Sequence, residues 1–284
     1  MSSTSTGQAA GTSAPGTSAP GTSAHSSESN AANTGDDGPV VLQLDDVHAG
    51  YGPFHALFGV SFVIHEAEAL ALIGPNGAGK TTVARVASGL LAPSAGRVEV
   101  NGVDFSRHPA QAFAAAGIAH APEGRSVFAT LNVEENLVLP LRRHFGRAGV
   151  RAALERGYEL FPALSQRRRQ NAGSLSGGEQ RMLTLARVLV LEPKLLIADE
   201  LSLGLAPIIT TDIYQVLERI LEAGTALLVV EQHVDHALAL AQQVVVLERG
   251  KVVISGQPSR DDILASVFGR REETTAFGQG ETHP

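Results

Sequence analysis

The chain has 284 residues, an apolar fraction of 43% and a formal charge of −7. That suits one or two domains with a real core and offers no basic field to draw nucleic acid. Cysteine is absent, which excludes disulfides, thiol catalysis and thiolate metal sites, and no run reaches the roughly 18 apolar residues of a membrane span.

Residues 1–38 repeat Gly-Thr-Ser-Ala-Pro from Gly11 and then turn to Ser, Asn and Gly. So little apolar surface cannot build a core, and the absence of Lys, Arg and an apolar stretch argues against a secretory signal. A disordered tail is expected there. Order begins near Val40, with strands expected at 41–44 and 59–64 on either side of a loop at 50–53. An apolar strand at 68–73 leads into Gly74, Pro75, Asn76, Gly77, Ala78, Gly79, Lys80 and Thr81, the P-loop spacing G-x-x-x-x-G-K-T. A helix over 82–89 follows, opened by Thr82. Residues 96–102 read as a strand entering an Asn101-Gly102 turn, and 116–120 as another short strand.

From about 133 to 171 the chain turns helical and arginine-rich. The run Arg167, Arg168, Arg169 reads as a solvated face or loop. Helix and strand then alternate: a helix at 179–191 ended by Pro193, a buried strand at 195–198, a helix at 208–221 and a buried strand at 226–230. Two last β segments, 244–247 and 252–254, flank an Arg249-Gly250 turn. Continuous apolar strands between helices imply a parallel sheet covered on both faces, and the early alternating strands imply a smaller antiparallel piece.

Three stretches carry chemistry. The P-loop glycines let backbone N–H groups curl around phosphates, with the partial positive charge of a helix start behind them. Lys80 can bring an ammonium to the same phosphates, and the Thr81 hydroxyl can ligate Mg²⁺. A bound nucleoside triphosphate is therefore expected. Asp199 and Glu200 close the strand 195–198 at the carboxyl end of the sheet, where ligands of α/β folds collect. There Asp199 would hold Mg²⁺ and Glu200 would polarise the water that attacks the γ-phosphate. Leu175-Ser176-Gly177-Gly178-Glu179-Gln180 is a second glycine-rich element before a helix. Its N–H groups and the Ser176 hydroxyl suit an anion, and Ser176 can also serve as an N-cap. One phosphate chain has no easy use for two such cradles from the same chain, whereas a dimer could supply one from each partner.

The segment LSGGEQ at 175–180 resembles the signature motif of ATP-binding-cassette (ABC) ATPases, GPNGAGKT resembles their Walker A and LLIADE at 195–200 their Walker B. The similarity covers roughly 40–269. It implies an α/β, P-loop NTPase (RecA-like) parallel-sheet core with an antiparallel β subdomain. An α-helical signature subdomain at about 130–190 and a flexible tail at 270–284 complete the implied division. In such a protein Tyr51 matches the aromatic residue that stacks on adenine, and His233 matches the switch histidine that senses the γ-phosphate. The loop Ser202-Leu203-Gly204-Leu205 matches the one that communicates across a head-to-tail dimer, in which each ATP lies between Lys80 of one chain and Ser176, Gly177, Gly178 and Glu179 of the other. Two positions depart from the family. Glu123 stands where a glutamine usually reaches Mg²⁺ and the attacking water; it would still ligate the ion but adds negative charge. Leu201 stands where a proline often follows the catalytic glutamate, which leaves the loop less constrained.

Pro122-Glu123-Gly124-Arg125-x-Val127-Phe128, with the stretch 131–137 and Val230-Glu231-Gln232-His233, is similar to the shorter ATPase subunit of branched-chain amino-acid importers. This implies hydrolysis of ATP with Mg²⁺ at the cytoplasmic face of the plasma membrane. The implied partners are a transmembrane permease, a second ATPase subunit (the longer one as a heterodimer, or a second copy), indirectly a substrate-binding protein, and no nucleic acid. Related importers carry urea, short amides or other hydrophobic amino acids. Rival readings are a soluble cassette protein of DNA repair or translation, and a nucleotide sensor without turnover. One cassette with no heptad run argues against the first, and intact Asp199, Glu200 and His233 argue against the second.

Overall fold

Two kinds of strand in the sequence become two sheets in the computed structural model, which describes residues 38–124 and 126–268, the side chains at 143, 144, 146–148, 267 and 268 excepted. The expected tails, apart from Gly38, and Arg125 of the quoted motif lie outside the described residues. In chain order the elements are β1 (Val40–Tyr51), β2 (Phe54–His65), β3 (Ala69–Ile73), α1 (Lys80–Ala87), β4 (Ala95–Val100), β5 (Val103–Asp104), α2 (Ala110–Ala115), β6 (Ile118–Ala121), α3 (Val133–Leu160) and α4 (Pro162–Ser165). A 3₁₀ turn (Ala172–Ser174) precedes α5 (Gly177–Leu189), β7 (Leu195–Asp199), α6 (Pro207–Glu222), β8 (Ala226–Glu231), α7 (Val234–Leu240), β9 (Gln243–Glu248), β10 (Lys251–Gly256) and α8 (Arg260–Phe268).

The first sheet runs β2-β1-β4-β5 and is antiparallel throughout. The second runs β10-β9-β3-β8-β7-β6; its members are parallel except β10, which turns back on β9. Every residue of β3, β7 and β8 is buried, as strands covered on both faces require. Alternate residues of β3 serve different sides. Leu70 and Leu72 join Val83 and Val86 of α1 and Leu42 and Leu57 of the antiparallel sheet. Ala69, with Leu227 and Val229 of β8, packs on Leu183 and Leu185 of α5 and Ile213 and Leu217 of α6. The P-loop helix is thus held on one face of the parallel sheet and the signature helix on the other.

Several expectations needed correction in extent. β1 runs on to Tyr51 and β2 starts at Phe54, so the expected loop at 50–53 shrinks to two residues. Register shifts between Leu44 and Val47, and Asp46 at φ 47, break the alternation that marks a strand in sequence. The Asn101-Gly102 turn holds as expected, at φ 49 and φ 74, pairing Val100 with Val103. Helices α2, α7 and α8 were not expected. The basic run lies in a turn with Arg167 and Arg169 exposed, as expected of a solvated loop; Arg168 lies 4.1 Å over the Tyr158 ring, and Arg167 Nε pairs with Glu179 Oε1 at 2.6 Å.

A straight α3 would set Glu134 and Tyr158 about 36 Å apart. Both line one cavity of about 740 Å³ beside Arg151 and Arg168, so the element doubles back on itself. An Asn132–Glu135 capping box fixes its start.

Candidate functional site

The phosphate loop connects β3 to α1. Gly79 caps α1 at φ 107, a conformation that favours glycine, and a side chain at Gly74 would collide with the Leu247 carbonyl. No side chain caps α1 and no acid occupies its first turn, so its leading N–H groups stay available to an anion. Lys80 is 4% exposed. Its Nζ donates to the Gly74 carbonyl at 3.0 Å and the Pro75 carbonyl at 3.3 Å, and lies 3.3 Å from Glu200 Oε1. Thr81 is half-buried at the helix start and Thr82 is buried behind it.

Asp199 ends β7 and Glu200 follows at φ 47, a strained left-handed conformation for a residue with a side chain. The Glu200 amide donates to the Val230 carbonyl at 2.9 Å, which ties it to β8. Asp199 is 1% exposed; its Oδ2 lies 3.8 Å from His120 Nε2, and its Oδ1 finds no partner among the described residues. A buried carboxylate oxygen left open, one residue before the glutamate that pairs with the phosphate-loop lysine, is a hard oxygen ligand of the kind Mg²⁺ takes. No group of three or more His, Cys, Asp or Glu that could hold a metal occurs among the described residues.

Glu231, at the end of β8, is buried and heavily bonded. It accepts from the Ser202 amide at 3.3 Å and hydroxyl at 3.0 Å, from the Tyr214 hydroxyl at 3.0 Å and from the Gln232 amide at 3.3 Å. Burial, then the Glu231 charge and the hydrogen bond to it, push the Tyr214 hydroxyl far above the usual phenol range. Glu231 therefore binds the loop after Glu200, helix α6 and the start of the His233 loop into one unit. His233 is exposed at the N-cap of α7, its ring 5.8 Å from that of His236.

Ser176 is both exposed and an N-cap. Its hydroxyl accepts from the Glu179 amide at 3.3 Å while the Glu179 carboxylate accepts from the Ser176 amide at 2.8 Å. No hydrogen bond or ion pair joins 176–179 to the phosphate loop among the described residues. Tyr51, at the end of β1, is 42% exposed, and Arg85 Nη1 donates to its hydroxyl at 2.9 Å. Glu123 is exposed in the bend after β6. The structure thus pairs Lys80 with Glu200, which adjoin Thr81 and Asp199 in the chain, and among the described residues leaves the Ser176 group with no such link to them. Sequence reading missed Arg181, Glu231 as a hub, Tyr214 and His120. Glu231 lay inside a quoted motif; the other three carry no local pattern.

Residues 57–202 match the ABC transporter family. The chain is 39% identical over 214 residues, 75% of its length and 91% of the relative, to the high-affinity branched-chain amino acid transport ATP-binding protein BraG of Pseudomonas aeruginosa. It is 34% identical over 245 residues to the Nod factor export ATP-binding protein I of Rhizobium etli, covering 84% of this chain and 75% of that protein. A solved structure of an ATP-binding subunit of an ABC transporter superposes with a TM-score of 0.70 at 28% identity, over 81% of this chain and 95% of that one. These likenesses bear out the expected P-loop core with its antiparallel and helical parts. The chain belongs to the ABC transporter family and is an ATP-hydrolysing, ATP-binding subunit of a transporter.

Proposed function

We propose that the chain powers an importer of branched-chain, hydrophobic amino acids from the cytoplasmic face of the plasma membrane. BraG, a branched-chain amino-acid protein, is matched over 91% of its length. ATP enters the phosphate loop with its adenine on Tyr51 and its phosphates on the N–H groups of 77–82 and Lys80. Bound Mg²⁺, held by Thr81 and Asp199 with Glu123 alongside, would neutralise charge on the phosphates. Lys80 exchanges its Glu200 and carbonyl partners for phosphate oxygen. Glu200, so released, orients the attacking water and takes its proton, while His233 meets the γ-phosphate.

The second cradle, Ser176 to Glu179, closes over a nucleotide held by another ATPase subunit, with the longer subunit as a heterodimer partner and a second copy as the alternative. Residues 40–269 form the ATPase domain. The arginine-rich helical region at about 130–172, with the Glu123 loop, receives a short helix of a permease, which in turn meets a substrate-binding protein.

The observation that supports the cargo is the similarity to BraG, and the Lys80–Glu200 pair at the foot of the phosphate loop supports the hydrolysis. Co-expression with a branched-chain amino-acid permease and its binding protein, followed by leucine-stimulated phosphate release in vesicles, tests it. Stimulation by leucine, isoleucine or valine is the expected result. Stimulation by urea or short amides alone, or release of an exported substrate, contradicts the assigned cargo.

A further inference from the structure

Arg181 lies one turn into α5, beyond the Ser176 cap, and is only 6% exposed. Its Nη1 donates to the Pro122 carbonyl at 3.1 Å and the Gly124 carbonyl at 2.7 Å, the two peptide groups that bracket Glu123. Its Nη2 donates to the Glu200 carbonyl at 3.4 Å. One planar cation therefore bonds both segments that carry candidate catalytic carboxylates, and does so from the helix whose start forms the second cradle. The Leu203 amide, at 3.4 Å, also donates to that Glu200 carbonyl, so two donors hold a residue whose backbone is strained at φ 47.

The charge matters as much as the fork. Burial pulls the guanidinium below its usual pKa, and the Glu123, Glu231, Asp199 and Glu200 carboxylates oppose that pull, with Glu123 the largest. Four acids around a site meant for a polyanion need a fixed cation besides Lys80, which the phosphates recruit. Arginine keeps its charge when buried and offers donors in a rigid plane, and lysine cannot reproduce that plane.

We propose that Arg181 is a positioning residue for hydrolysis: it fixes the Glu123 bend and the Glu200 backbone against α5 and offsets the charge of Glu123. This rests on the proposed roles of Glu123 and Glu200. It adds a specific partnership between Arg181 and Glu123, together with a rigid link from the signature helix to the hydrolytic carboxylate.

The test is a double-mutant cycle in the full-length chain. Phosphate-release kcat and KM, and the dissociation constant of a fluorescent ATP analogue, are measured for parent, Arg181→Gln, Glu123→Gln and the double variant. Arg181→Gln should lower kcat about tenfold or more with analogue affinity within about threefold of parent, and its cost should fall by about threefold or more in the Glu123→Gln background, the remainder coming from the lost bonds to the Pro122, Gly124 and Glu200 carbonyls. An equal kcat loss in both backgrounds, or a kcat within about twofold of parent, overturns the proposal.

Should Arg181→Gln not fold, Arg181→Lys replaces it. A kcat loss of about threefold or more with unchanged affinity supports the fork, and parent kcat or an equal loss of affinity overturns it. Glu200→Gln run in parallel separates the two levels of the account. If that variant turns over ATP at the parent rate, the proposed function fails. If it is inactive while Arg181→Gln is unaffected, only the Arg181 inference fails.

Discussion

Lys80 and Glu200 form a nearly buried ion pair, Nζ to Oε1 3.3 Å, that joins the phosphate loop to the end of β7. The pair holds in one place the two groups proposed to serve opposite tasks: a cation for phosphate and a carboxylate for water. Neither is left as an uncompensated buried charge. Lys80→Ala should weaken nucleotide binding about tenfold or more, since hydrogen bonds to a charged group contribute about 1.5–3 kcal/mol. Equilibrium titration with a fluorescent ATP analogue measures this, and unchanged affinity would refute the role given to Lys80.

The Tyr214 hydroxyl is one of the donors to buried Glu231. Tyr214→Phe removes it without changing shape, so the variant should lose about 1–3 kcal/mol of unfolding free energy. Urea denaturation reads the loss as a shift of midpoint at constant slope. Because Glu231 also holds Ser202, the same substitution should loosen the loop after Glu200, seen as faster amide exchange at 201–205.

Tyr51 shares its hydroxyl with Arg85 and leaves its ring exposed. With stacking on a base contributing about 1–3 kcal/mol, Tyr51→Ala should weaken ATP-analogue binding by about fivefold or more, while Tyr51→Phe stays close to parent. Equal affinity of parent and Tyr51→Ala would remove Tyr51 from the nucleotide site.

The Glu179 carboxylate gives a pH signature. Burial pushes it up, but the hydrogen bonds from Ser176 and the Arg167 ion pair outweigh that and hold it below the usual 4.5. A carboxylate depressed in the folded state adds stability above its unfolded pKa, and that stability is lost as pH falls through the lower folded value. Glu179→Gln keeps a side-chain acceptor for the cap. The stability gap between parent and variant should therefore be largest near neutral pH, on the order of 0.5 kcal/mol for a partly solvated pair, and close in acid. A gap that stays constant with pH would show that the charge contributes nothing.

How much of this was readable in advance depends on the range of the physics. The phosphate loop was legible because glycine, lysine and threonine must stand at fixed spacing between an apolar strand and a helix, all within about fifteen residues. Asp199 and Glu200 were legible as acids ending a buried run. The length of β1 was not, because its bulges shift the period that a strand shows in sequence. Arg181 gave no local signal, since its partners lie at Pro122, Gly124 and Glu200 and meet only once α5 has packed on the sheet. Tyr214 and Glu231 likewise sit on separate elements, and short helices such as α2 carry too few turns to show a period.

Turnover of the Glu200→Gln variant against its nucleotide affinity tests the central claim most directly. The substitution keeps size and a hydrogen-bonding head but removes the carboxylate that pairs with Lys80 and is proposed to take the proton from water. The account predicts ATP-analogue affinity equal to or tighter than parent, with hydrolysis reduced by about 10²–10⁴-fold. Hydrolysis at the parent rate would contradict it.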